Sequence, residues 1–157
     1  DFMSTPLMFT AANEHQGIVD ALLKKEGIDI NRQNKYDATA LMFAVEKGHR
    51  LVVDSLLKKE GIDINVQDKD GVTALHRAVM KGNKQILQAL LDNDADFSIE
   101  NDKKKTAFDL AKENGNADFV QLIQSAEQMR PLKHALIALK TKLSELATEL
   151  GQMVSHS

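Results

Sequence analysis

Apolar residues come in paired bursts along this chain, each spaced for one face of a short helix. Leu75, Ala78 and Val79 recur at helical intervals, Gly82 interrupts them, and Ile86, Leu87, Leu90 and Leu91 form a second stripe. Ahead of the pair, Asp68-Lys69-Asp70-Gly71 has turn chemistry, with Gly71 free to take positive φ. Thr73 is placed to cap the first helix by accepting a backbone N–H two or three residues on. Gly82 supplies a left-handed stop, Asn93-Asp94 breaks the second helix, and an extended stretch leads to the next turn at Asn101-Asp102. Leu41, Ala44, Val45, Gly48, Val52, Val53, Leu56 and Leu57 repeat the scheme one period earlier. The pattern predicts helix, turn, helix and extended finger as one layer.

That layer recurs at a fixed interval. Thr5-Pro6-Leu7-Met8, Thr39-Ala40-Leu41-Met42, Thr73-Ala74-Leu75-His76 and Thr106-Ala107-Phe108-Asp109 open successive copies, with threonines 34, 34 and 33 residues apart. The decapeptide Leu22–Asn31 returns unchanged at Leu56–Asn65. Units this small cannot bury their own apolar faces, so they must stack, each touching only its neighbours.

The order Thr-x-Leu-His-x-Ala, Gly, an Ile/Val pair, Leu-Leu and Asp-Ile-Asn resembles the ankyrin repeat. The resemblance covers residues 3–127 as four repeats (5–38, 39–72, 73–105 and 106–127). It implies an all-α ankyrin-repeat solenoid with β-hairpin-like fingers, followed by an additional C-terminal helix. Some positions depart from the pattern. Proline survives only as Pro6, and the motif histidine only as His76. Glu14 stands where Gly48, Gly82 and Gly115 end the first helix, and a left-handed residue there costs about 1 kcal/mol. Asp37 and Lys104 replace the turn glycine Gly71, and Lys24–Gly27 and Lys58–Gly61 carry one extra residue. These substitutions lead one to expect loosened turns at the edges of the array.

Pro131 opens a different segment, expected as a helix over 131–150 with Gly151 ending it. Leu132, Leu136, Leu139, Leu143, Leu146 and Leu150 alternate spacings of 4 and 3, a heptad seam that Met153 continues. Ala135 and Ala147 widen the stripe, which favours an end cap on the fourth repeat. Self-association through the six leucines as a coiled coil, or a helix leading into a further domain, are the alternatives.

Composition narrows the chemistry. With no Cys, disulfides, Cys-based zinc sites and a thiol nucleophile are excluded, and the absence fits a reducing, intracellular compartment such as the cytoplasm. A net charge of −3 gives no broad attraction to nucleic acid or acidic membrane. No apolar run reaches membrane-spanning length, and no signal peptide is visible.

His15, His49 and His76 occupy repeat positions with structural roles, while His134 and His156 fall on the tail. Asp68/Asp70 and Asp94/Asp96 sit where turns favour aspartate, outside any calcium-loop spacing. Lys103-Lys104-Lys105 lacks interleaved aromatics. No catalytic residue, metal ligand or cofactor is therefore assigned.

The expected function is that of a non-catalytic protein-binding module. By the resemblance, partners bind a concave groove lined by finger tips and first-helix ends. Matching the motif puts Lys35, Tyr36, Lys69, Asp70, Val72, Asp102, Lys103 and Lys105 on the fingers. Glu46, Lys47, Met80, Lys81, Glu113 and Asn114 fall on the helix side, with Asn13 and Glu14 in the first layer. Tyr36 and Met80 are the expected anchors, because the fold demands no large apolar group at either place. Asn31 and Asn65 resemble ankyrin asparagines that an oxygen-dependent hydroxylase modifies; the plainer role is turn stabilisation. The alternative function is a substrate-recruiting part of a larger enzyme. Richness in Lys, Asn, Asp and Ile also resembles ankyrin proteins of protists and of intracellular bacteria, whose effectors act in a host cytosol.

Overall fold

The computed structural model describes residues 5–155. Met3 at the start of the first repeat and His156 lie outside the described residues. Among the described residues are eight α-helices and no strands: α1 (Pro6–Ala12), α2 (Gln16–Leu23), α3 (Ala40–Lys47), α4 (Arg50–Leu57), α5 (Ala74–Met80), α6 (Lys84–Asp92), α7 (Ala107–Glu113) and α8 (Ala117–Ser155). The chain divides into two compact units, Asp1–Ile123 and Gln124–Ser157.

The first unit is the helical solenoid that the repeat predicts. Each copy begins with its threonine as N-cap: Thr5, Thr39, Thr73 and Thr106 accept the N–H of Met8, Met42, His76 and Asp109. Each bond satisfies a donor that the first turn leaves orphaned, about 1 kcal/mol per cap. Helices α1, α3, α5 and α7 pack in series, as do α2, α4 and α6. Ala11, Ala44, Ala78 and Ala111 are fully buried, and their lack of bulk lets neighbouring first helices approach closely. Leu56, Leu90, Ile86 and Ile123 fill the second-helix side, each contributing about 2 kcal/mol on burial.

The fingers are hairpin-like turns too short to form a ladder. Asn34 donates its N–H to Ala38 and receives that of Asp37; Asp68 with Val72 and Gly71, and Asn101 with Lys105 and Lys104, repeat the pairing. The Oδ1 of Asn34, Asp68 or Asn101 also accepts two backbone N–H groups of its own finger. One backbone bond links successive tips: Lys69 N–H to the Tyr36 carbonyl at 3.1 Å, and Asp102 N–H to the Asp70 carbonyl at 3.0 Å.

The turns lacking glycine are not loosened. Glu14, Asp37 and Lys104 adopt φ of 57°, 59° and 57°, close to the 72° of Gly71. The same hydrogen bonds close each finger whatever the side chain, and after Glu14 the His15 N–H reaches the Thr10 carbonyl as the His49 N–H reaches that of Ala44. The backbone therefore bears the left-handed cost of about 1 kcal/mol. Gly71 has a further constraint, because a Cβ there would lie 2.9 Å from the Asp102 nitrogen.

The tail expectation needs correction. No new helix opens at Pro131 and none ends at Gly151; α8 runs unbroken from Ala117 to Ser155 with both inside it. Proline removes one N–H, whose lost acceptor is the Glu127 carbonyl, on an exposed stretch that water can solvate. Leu-, Ala-, Lys- and Glu-rich flanks have the helix propensity to continue past it. Phe119 and Ile123, in the first turns, are buried within the first unit. In the second unit Leu132, Leu136, Leu139, Leu143, Leu146 and Leu150 are exposed, as are Met129 and Met153. Among the described residues no helix is long and apolar enough to cross a membrane.

Candidate functional site

Finger tips bring their side chains out in a regular series. Lys35 and Tyr36 occupy the tip after the first layer, Lys69 and Asp70 the next, and Asp102 and Lys103 the third; all six are exposed. Tyr36 is 42% exposed, and the Lys35 ammonium lies 5.1 Å from its ring centroid, a cation–π distance. Val72 and Lys105, at the finger bases, are only half-exposed. Lys105 pairs with Glu113 on α7, a bond that raises the Lys105 pKa.

The helix side is more tightly tied than the motif suggests. Glu46 at the end of α3 pairs with both Lys81 and Arg77, the latter at 3.3 Å. Arg77 also reaches Asp68 at the base of the second finger. Glu46 and Lys81, expected on the helix side of the groove, join the end of α3 to that of α5 through this network. Met80, beside Lys81, is 48% exposed, and Lys47, Glu113, Asn114 and Asn13 are exposed too. Glu14 lies 3.5 Å from Nδ1 of His49.

Two residues of this surface escaped the sequence reading. Arg77 and the exposed Phe9 share one repeat position with Phe43 and Leu110. A cation at a position that is apolar in the other three copies was the available signal.

The histidines hold structure. His76 is buried, with Nδ1 accepting the Thr73 N–H at 3.2 Å and Nε2 3.0 Å from the Lys105 carbonyl. Burial holds its pKa below the usual histidine range. His49 Nε2 sits 3.0 Å from the Ala12 carbonyl, linking the second layer to the first. Hydrogen bonds from Ser55 and Gln16 lower the Asp20 pKa, and those from Thr106 lower that of Asp109.

Both hydroxylation candidates bridge layers. Asn31 donates to the Gly61 carbonyl at 2.7 Å and accepts from the Asp63 N–H at 2.8 Å, and Asn65 accepts from Asp96 at 2.8 Å.

A family model described as ankyrin repeats (3 copies) matches residues 1–68 and again 52–132. No curated protein matches the chain.

Proposed function

Since the chain belongs to the ankyrin repeat family, whose repeats are generally protein–protein interaction modules, we propose that it binds a partner protein through its finger tips and first-helix ends, without catalysis of its own. The observation that carries this reading is the placement of Tyr36 and Met80. Both are large, partly apolar and nearly half exposed, on a framework fixed by capping, finger-to-finger bonds and the Arg77 network. A preordered surface loses little entropy on docking, and a few such anchors carry most interface energy. Lys35, Lys69, Asp70, Asp102 and Lys103, exposed on the finger tips, supply charge that steers association more than it holds it. Capture of the partner from a lysate, followed by calorimetry with Tyr36→Ala/Met80→Ala, tests the reading. The double variant should bind about thirtyfold or more weakly with its unfolding midpoint unchanged. Unchanged affinity would refute the choice of surface.

The exposed seam of the second unit supports a second reading, self-association through Leu132, Leu136, Leu139, Leu143, Leu146 and Leu150. With Met129 and Met153 the a/d spacing holds over more than three heptads of continuous helix. Sedimentation should show an oligomer that Leu139→Lys/Leu143→Lys converts to monomer; a monomeric parent chain removes this reading.

A further inference from the structure

We infer that the exposed seam of the second unit pairs with a second copy of itself as a parallel, in-register coiled coil; this rests on the self-association reading and adds its direction. The seam side chains from Met129 to Met153 are 45–72% exposed and alternate spacings of 3 and 4 along α8. With Met129 and Leu136 as a positions and Leu132 and Leu139 as d, the flanking e and g positions include Ala135, Lys140, Lys142, Ala147 and Glu149. These flanks separate the two ways in which identical helices can pair. Parallel strands set each g position against the e position five residues on in the partner. Gln128 then meets the partner's Lys133, Ala135 the partner's Lys140, and Lys142 the partner's Ala147. Each of these lysines faces an uncharged side chain, over which its stem can lie while the ammonium stays in water. No like charges oppose, and all eight seam residues meet their own counterparts. The helix is thus complementary to itself in this direction.

Antiparallel strands pair a with d, and set e against e and g against g. The register that matches all eight seam residues pairs Leu143 with the partner's Leu139 and Met129 with the partner's Met153. It also sets Lys140 against the partner's Lys140 and Lys142 against the partner's Lys142. Glu145, 3.3 Å from Lys142 on the same helix, offsets one of these conflicts. Lys140 has no acidic residue three or four positions away to do the same. Sliding the strands by one heptad brings Lys142 opposite Glu149 but leaves Met129 and Leu132 without a layer, and sliding the other way sets Lys133 against Lys140. Exposed ion pairs contribute less than the apolar layers so lost.

The chain has no cysteine, so single cysteines in the full chain report direction. In the parallel coil Leu132→Cys and Met153→Cys each face their own counterpart, and each variant alone should form a disulfide-linked dimer in a glutathione redox buffer. In the full antiparallel register Leu132 and its counterpart lie about 27 Å apart along the helices, and Met153 and its counterpart about 36 Å, too far to bridge. Ala135 gives an independent sign, because its helix neighbours Pro131, Leu132, Ala138 and Leu139 carry no charge. Facing Lys140, Ala135→Glu should dimerise about tenfold more tightly than Ala135→Lys at low salt, with the gap closing at high salt. In the full antiparallel register position 135 faces Glu149, and the order reverses. A dimer by sedimentation that fails to self-link at both cysteines, or in which Ala135→Lys is the tighter variant, overturns the direction and leaves self-association standing. A parent chain that stays monomeric gives the seam to another occupant and removes both.

Discussion

Replacing His76 with methionine separates the packing of this side chain from its chemistry, because Met8 and Met42 fill the same position in the first two layers. Its fixed partners admit only the neutral ring. Nδ1 must accept from the Thr73 N–H, so Nε2 carries the proton and donates it to the Lys105 carbonyl. A second proton on Nδ1 would face a backbone donor. Burial is the largest influence lowering its pKa below 6.5, opposed by the Lys105 carbonyl and the charge of Asp68. The unfolded chain thus binds a proton that the folded one refuses. Stability from this residue is complete above pH 6.5 and is lost as pH falls through the folded pKa.

His76→Met removes two hydrogen bonds of about 1 kcal/mol net each while keeping the volume, so a loss of about 1–2 kcal/mol is expected at high pH. His76→Ala adds a cavity and should cost about 3 kcal/mol. Urea unfolding followed by circular dichroism at about pH 8 and about pH 5.5 should show the gap between parent and His76→Met narrowing at the lower pH. An identical gap at both pH values would refute the assignment of a neutral, two-bonded imidazole.

Gly71→Ala should destabilise by about 2 kcal/mol in the same assay, combining the strain of φ 72° with the clash against Asp102. Glu14→Gly relieves a φ of 57° and should stabilise by about 1 kcal/mol; a loss would mean that the Glu14–His49 contact matters more than backbone strain. Arg77→Leu imitates Leu110 at the equivalent position but leaves Asp68, whose side chain is 7% exposed, without its cation. It should cost about 2 kcal/mol, and a neutral result would show the network to be dispensable.

The fold was legible because it is written several times over. Any one helix of seven or eight residues is too short to be stable alone, but threonine caps agree in register across four copies, and alanine contacts and Leu-Leu pairs each across three. What misled were single-copy features. Pro131 reads as a helix start because local rules favour proline in a first turn, yet the surrounding propensity continues the helix through it. Glu14, Asp37 and Lys104 read as loose turns because residue preference was weighed without the bonds that close the first helix end and each finger.

The surface was legible in position but not in pairing, and the distinction decides which charges are available to a partner. Sequence period places Glu46 and Lys81 on the helix side equally with Lys47, since each is a charged group at a helix end. It does not reveal that a cation stands at position 77, one turn from Lys81 and within reach of Glu46 and Asp68. Once those four side chains are joined, separating any of them to meet a partner means breaking a partly buried ion pair before gaining a new one. Lys69, Asp70, Asp102 and Lys103 are exposed on turns whose backbone N–H groups are already bonded, so their side chains reorient mainly at the cost of side-chain entropy. Under the binding mode proposed above, recognition by charge therefore falls to the fingers, while the helix-side ions hold the end of α3 against α5 beside Met80.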